Sequence, residues 1–337
     1  MAAGLVAAPA AAAERVLVAG ATGRTGAALM VELKKQGYDV RGLVRDAARA
    51  KEELGEGYEL VEADVRKKRQ VAAAFAGGVD YVISAIGSRG WVGANSPQFV
   101  DYVGTKNLAD AAKAAGVKHF VVISVGNAGP AYDHASNAAL GYLGYWKTRG
   151  EDAVKASGVA YTIVGPGGLE DGEQTTKGIK LTSRADYKTA RINVGDTAML
   201  AIDALKNPGQ RNKSYGAVHD AALPRDAWKQ AVAGLSEEKL GLPPLVIDQE
   251  KMVSIDALDP ADAPIQRFMF TAYGIWFRGQ EIAIPGSDAM FCTVSNEHNT
   301  LLNWFPRDRA WKFQVLYDPD ADTPSGALAT CEKRAPG

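Results

Sequence analysis

The feature that most constrains the fold is Gly20-Ala21-Thr22-Gly23-Arg24-Thr25-Gly26, which follows directly on the apolar run Arg15-Val16-Leu17-Val18-Ala19. A β-branched run ending in glycines predicts a first strand that turns sharply into a helix. The pattern Ala27-Ala28-Leu29-Met30-Val31-Glu32-Leu33-Lys34-Lys35, closed by Gly37, supplies that helix. In such a turn Gly20 and Gly23 let the backbone approach a pyrophosphate, and Gly26 lets helix and strand pack closely. Thr22, Arg24 and Thr25 lie between them, at a helix N-terminus whose unpaired N–H groups and positive dipole end favour anions. Glycines also punctuate ordinary turns. The flanking strand and helix make this one a candidate dinucleotide site; the alternative is the same turn kept without a ligand.

From Arg15 onward the pattern alternates regularly. Strands are predicted at 15–20, 39–45, 58–63, 79–86, 119–125 and 160–165, with helices notably at 67–76, 97–115 and 137–157. Near-continuous apolar strands alternating with amphipathic helices indicate an α/β protein with a parallel sheet covered on both faces. The glycine turn after the first strand favours a doubly wound parallel sheet, the Rossmann form, over a closed barrel.

Composition excludes other classes. With 38 basic and 39 acidic residues the formal net charge is −1, so the chain has no electrostatic footprint for nucleic acid. Cys292 and Cys331 lie in no metal-ligand spacing, which predicts no metal site and points to a reducing compartment. No apolar segment approaches the roughly 20 residues that span a bilayer, so the expectation is a soluble or peripheral protein with no transmembrane segment. Residues 1–13 are almost wholly alanine without a basic start. They are either a disordered leader or the tail of a cleaved targeting sequence. The binding domain is expected over 14–240.

Several strand ends fall where a nucleotide would need them. Arg45 closes the second strand, where an acid would bind a ribose 2′-hydroxyl and a base a 2′-phosphate; Asp46 comes one residue late. Arg24 adds a second guanidinium able to grip a phosphate. Both point to NADP(H) over NAD(H). Asp64 could hydrogen-bond adenine together with the Val65 backbone, and it could also cap the following helix. Ala85-Ile86-Gly87, after the fourth strand, would lie against the ribose and nicotinamide side, unless Gly87 serves only as a turn.

At this point the chain resembles a known family. Gly20 to Gly26, Leu43-Val44-Arg45, Ala63-Asp64-Val65, Ser84-Ala85-Ile86-Gly87 and Val121-Val122-Ile123-Ser124 are similar to the atypical short-chain dehydrogenase/reductase group (NmrA-like). So are Trp146-Lys147-Thr148-Arg149-Gly150-Glu151-Asp152-Ala153-Val154 and Asn193-Val194-Gly195-Asp196-Thr197-Ala198. Within the group, segment 142–170 most resembles the NADP-binding subunit of the plastid inner-envelope translocon and its relatives. The likeness spans residues 14–222. It implies NADP(H) as cofactor, and either a small-molecule substrate or a protein complex as partner. The implied location is the chloroplast, with peripheral membrane association; otherwise the location is cytoplasmic.

Catalytic short-chain enzymes place a Tyr and a Lys four apart on one helix face. The Lys lowers the tyrosine pKa, and a Ser orients the carbonyl. By resemblance Ser124 is that serine, and Lys147 is the lysine, which could also hold the nicotinamide ribose. Position 143, however, is Leu143, so the pair is absent. Tyr142 and Tyr145 are the candidate proton donors, at five and two residues from Lys147; the alternative is that both simply pack helix against sheet. Relatives usually read Arg-Pro-Gly after the sixth strand, where this chain has Gly165-Pro166-Gly167. The loss of that arginine predicts a missing structural or substrate-side cation, while Pro166 and Gly167 keep the turn that opens on the cleft.

Two further covering helices are predicted, from Val194 to Leu205 and from Asp226 to Leu235. Beyond residue 245 no family is recognisable. Six of the nine phenylalanines fall there, and alternation in 267–271 and 310–317 predicts short strands with one buried face. Residues 245–317 are read as an appended β-rich unit that closes the cleft or meets a partner, or as a self-packing extension. The proline-bearing stretch 318–337 is read as a flexible tail. Two functions of different class remain: an NADP(H)-dependent reductase of a small carbonyl or enoyl compound, and a non-catalytic NADP(H)-sensing scaffold of a plastid membrane-associated complex.

Overall fold

A computed structural model describes residues 13–90, 95, 97–126, 128 and 143–236, together with the backbone of 265–272, 275–283, 290–295, 311–316 and 328–333. The leader, except for its last residue, lies outside the described residues. The apolar runs form β1 (Arg15–Ala19), β2 (Asp39–Val44), β3 (Glu59–Glu62), β4 (Tyr81–Ser84), β5 (His119–Ile123) and β6 (Tyr161–Pro166). Each overlaps its predicted span, with β6 running one residue further. Between them come α1 (Arg24–Lys35), α2 (Ala47–Leu54), α3 (Lys68–Ala73), α4 (Thr105–Ala114) and α5 (Leu143–Ser157). After these follow β7 (Gly168–Glu170), β8 (Ile179–Thr182), β9 (Arg191–Asn193), α6 (Val194–Lys206), β10 (Lys213–His219) and α7 (Ala227–Gly234).

The main sheet runs β3-β2-β1-β4-β5-β6-β10-β8, parallel throughout except for β8, which pairs antiparallel with β10 at the edge. The chain winds one way from β1 to β3 and the other way from β4 onward. A crevice therefore opens at the carboxyl ends of β1 and β4, where ligands of doubly wound sheets bind. Period-2 alternation along β1 feeds two cores. Val16 and Val18 pack with Leu29, Met30 and Leu33 of α1 on one face, while Leu17 and Ala19 pack with Leu108, Phe120 and Ile163 on the other. Asn193 caps α6 by accepting from the Asp196 N–H at 2.9 Å. Asp196 in turn accepts from Thr175, His219 and Arg225, fastening the 171–178 loop to the end of β10.

The helix predicted over 97–115 is two elements. Residues Gln98–Gly104 form a π-helical turn, and only then does α4 begin. The turn carries Asp101 against α5 at Gly150, where an added Cβ would fall 2.4 Å from the Asp101 carbonyl oxygen. No described helix is long and apolar enough to cross a membrane.

The C-terminal region is β-rich. Strands β11 (Ile265–Ala272), β12 (Ile275–Ala283), β13 (Met290–Ser295), β14 (Trp311–Leu316) and β15 (Leu328–Lys333) form an antiparallel sheet in the order β11-β12-β13-β15-β14. The alternation at 267–271 and 310–317 marks β11 and β14. Strand β15 falls inside the stretch predicted to be flexible. Its prolines, Pro319, Pro324 and Pro336, all lie outside the strand, so none interrupts the pairing.

At the edge opposite the crevice, Glu14 meets Lys206 at 2.6 Å, Lys118 at 3.0 Å and the Tyr81 hydroxyl at 3.0 Å. Hydrogen bonds from Lys206 and then Lys118 hold its carboxyl down at about 2. A carboxylate depressed in the folded state contributes its full stability above the unfolded value of about 4.3, and loses it as pH falls toward the folded value. Solvent screening keeps the contribution within about 1 kcal/mol. In urea unfolding, Glu14→Gln is expected to trail the parent protein by up to that amount at pH 6, with the gap closing between pH 4 and 2. A gap independent of pH would show that the carboxylate charge is not its source.

Candidate functional site

The first turn is built from backbone contacts that leave no room for side chains. Gly20 has φ +80°, and a Cβ on it would lie 2.8 Å from the Ala85 carbonyl oxygen. Its N–H donates to the Leu43 carbonyl at 3.3 Å, and the Ala85 N–H donates to the Ala19 carbonyl at 2.9 Å. The tips of β1, β2 and β4 are thus tied together. Gly23 donates to the Gly20 carbonyl at 2.9 Å and opens α1 in an extended conformation. A Cβ on Gly26 would fall 2.0 Å from that same carbonyl oxygen, so α1 lies directly against the turn. Among the described residues no side chain caps α1, and its first turn holds no acid. Its leading N–H groups and positive dipole end remain available to an anion.

Gly20, Thr22, Gly23, Arg45, Asp64, Val65, Ala85, Ile86 and Gly87 line one cavity of about 230 Å³, which also takes in Arg66, Arg89 and Asn95. That volume is below the ~300–1,000 Å³ of complete small-molecule sites, which suits one half of a dinucleotide. The other predicted cofactor residues (Arg24, Thr25, Gly26, Ser124, Lys147, Pro166 and Gly167) do not line it. Arg24 is exposed and reaches Asp171 at 3.2 Å, while Thr25 and Gly26 are buried in α1. Pro166 accepts from the Gly126 N–H, and Gly167 donates to the Ala217 carbonyl. Both groups are thereby committed to bonds between neighbouring strands at the carboxyl end of the sheet.

The acids near the cavity are already engaged. Asp46 caps α2, accepting from the Arg49 N–H at 3.0 Å. Asp64 grips the Arg66 guanidinium, with Nη2 at 2.5 Å and Nε at 2.9 Å. Burial pushes the Asp64 carboxyl up, but hydrogen bonds and charge from Arg66 outweigh it and leave the group below its ordinary value. Asp64 does not cap α3 as predicted. That position belongs to Lys67, because Asp64 turns back on Arg66 two residues on. The Val65 carbonyl accepts from buried Asn107 at 2.9 Å. Arg45 lies 3.4 Å from Asn95. Arg45 and Arg89 give this cavity a cationic rim, while the charge of Arg66 is met by Asp64.

A second polar cluster sits at the ends of β5 and β6. The Ser124 hydroxyl donates to Glu151 Oε1, and Arg184 Nη2 donates to that oxygen at 3.0 Å and to the Val125 carbonyl at 2.7 Å. The cation thought lost at Gly165 is therefore present. A Cβ on Gly165 would fall 2.4 Å from Arg184 Nη1, so the glycine leaves the space that this guanidinium fills. Lys147 lies one turn before Glu151 on α5, with its Nζ 2.7 Å from Asp101 Oδ1; the other Asp101 oxygen accepts from the Ser88 N–H at 3.1 Å. The partly buried lysine is held near the tip of β4 by the π-helical turn. Tyr142 and the Tyr145 side chain lie outside the described residues.

Sequence reasoning missed Asp101, Glu151 and Arg184 as site residues. Two left signals. Asp101 is an acid inside the apolar run Phe99-Val100-Asp101-Tyr102-Val103, and Glu151 lies four residues after Lys147, on the same helix face. Arg184 left none, since only the tertiary fold brings it to Glu151.

Residues 20–208 match the family described as NAD(P)H-binding. The chain is 35% identical over 217 residues to Protein TIC 62, chloroplastic, of Pisum sativum, an alignment covering 57% of this chain and 40% of the pea protein. It is 32% identical over 215 residues to an NAD(P)H azoreductase of Xenophilus azovorans, covering 62% of this chain and 69% of that one. Among solved structures, an oxidoreductase of Lactococcus lactis superposes with a TM-score of 0.56 at 23% identity, covering 67% of this chain and 99% of that one, and so shares the fold. With the glycine turn, the strand order and these matches together, the chain belongs to the NAD(P)H-binding family, as an atypical short-chain dehydrogenase/reductase related to the TIC 62 proteins.

Proposed function

We propose that the chain binds NADP(H) and acts as a reductase of a small carbonyl or enoyl compound. One observation carries the cofactor choice. At the tip of β2 the nearby acid, Asp46, is committed to capping α2, while Arg45 faces the cavity. NAD(H) needs an acceptor for its ribose hydroxyl, whereas NADP(H) needs cations for its 2′-phosphate. Arg89 adds to that charge. The bound nicotinamide supplies the hydride.

The protein's own part is positioning. The α1 N-terminus meets the pyrophosphate, and Lys147, steadied by Asp101, is placed to hold a ribose hydroxyl. The azoreductase relative supports catalysis on this scaffold. The second reading, a nucleotide-sensing scaffold in a plastid membrane-associated complex, draws on the TIC 62 likeness and on the absence of the Tyr-x-x-x-Lys pair.

Nicotinamide fluorescence is expected to show NADPH binding at least tenfold tighter than NADH. Arg45→Ala should remove most of that preference, because a charge-assisted phosphate contact contributes about 1.5–3 kcal/mol. Equal affinities, or a preference unchanged in Arg45→Ala, would refute the NADP(H) assignment. With a panel of aldehydes, ketones and enones, Lys147→Ala is expected to lower NADPH oxidation at least tenfold, with NADPH binding weakened but still measurable. No oxidation with any acceptor, alongside nucleotide-dependent capture of envelope proteins, would favour the scaffold.

A further inference from the structure

Arg184 reaches Glu151 from the far side of the sheet. It follows the edge strand β8 on a 183–190 strap that brings its guanidinium against Gly165 of β6 and the Val125 carbonyl beyond β5. Glycines make the passage possible. Gly165 leaves the space for the guanidinium, and Cβ atoms on Gly126 and Gly216 would collide with the Tyr187 ring of the same 183–190 strap. The Arg184 side chain is 0% exposed and that of Glu151 1%. Among the described residues, Glu151 Oε2 and Arg184 Nε and Nη1 have no hydrogen-bond partner. A buried ion pair of this kind costs desolvation, and breaking it leaves an uncompensated charge, so it is weak evidence for stability as its purpose.

Its effect on Ser124 is specific. A guanidinium only donates, and a carboxylate held by it only accepts. The hydroxyl proton of Ser124 therefore goes to Glu151 Oε1, and what Ser124 turns to its surroundings is lone pairs. A serine that polarises a carbonyl must donate; this one accepts.

We propose that Arg184 and Glu151 are positioning residues that fix Ser124 as a hydrogen-bond acceptor, so that the ligand group meeting Ser124 carries an O–H or N–H. Taken with the reductase reading, on which this step rests, Ser124 holds the hydroxyl or amino product rather than activating the carbonyl. Glu151→Gln reverses the polarity: the amide can donate to Ser124 and free its proton for another acceptor.

The test uses benzyl alcohol and its methyl ether, a pair differing in one donated hydrogen. Their binding to the full chain without cofactor is followed by NMR at the Ser124 amide. The alcohol should bind at least tenfold tighter than the ether in the parent protein. Ser124→Ala should abolish the difference, Glu151→Gln should abolish or invert it, and Arg184→Lys should preserve most of it. Arg184→Met is expected to lose it; should that variant fail to fold, the lysine and glutamine variants decide. No binding of either probe by the parent, equal binding of the two, or an alcohol preference surviving in Ser124→Ala would overturn the proposal. NADPH titration of the same samples reports separately on the cofactor site, so a failed nucleotide reading and a failed acceptor assignment give different results.

Discussion

No side chain fits where the first turn crosses the tip of β4. Gly20 lies against the Ala85 carbonyl, and Gly26 lies against the carbonyl of Gly20 itself. The rest of the crevice depends on that pair of contacts. Because the turn is so tight, α1 begins within hydrogen-bonding distance of the strand tips and aims its N-terminus across the point where the sheet order reverses. The same contacts set β1 between β2 and β4, and so bring Arg45 and Ala85 to one cavity although they are far apart in the chain.

The cavity and the polar groups at the ends of β5 and β6 are built by different means. The cavity is lined largely by backbone, with Arg45 and Arg89 at its rim, Asp46 committed to capping α2 and Asp64 paired with Arg66. The polar groups are made of side chains: buried Ser124, Glu151 and Arg184 in one group, partly buried Lys147 and buried Asp101 in another. Backbone cradles tolerate sequence change wherever the glycines are kept. A buried ionic network is less forgiving, since each member left alone is a charge in a medium that solvates it poorly.

That difference decides what could be read from the residues alone. Gly20, Gly23 and Gly26 declare themselves because the backbone conformation and close approach they allow have a local sequence signature. The strands do so because burial on both faces writes continuous apolar runs. Gly165 was legible only as a loss, since its meaning lies in Arg184, which touches it through the fold rather than along the chain. The helix at 97–115 was legible as a helix, but its π-helical start was not: the apolar pattern there is compatible with either winding. Asp64 reads as a helix cap by position, yet the pull of Arg66 two residues away wins.

The π-helical turn has a further consequence, for how insertions and deletions would be felt. A π turn holds a residue more than the α-helix that would otherwise occupy the same length. Deleting one residue between 98 and 104 would let ordinary helical pairing resume over the same length, so the chain before the turn would keep its place while the residues inside the turn shift around the axis relative to α4. Asp101 would then leave Lys147 and the Ser88 N–H together, and Gly150 would face a different backbone atom. The register of this helix, more than the identity of any single residue along it, is what keeps the lysine at the strand tip.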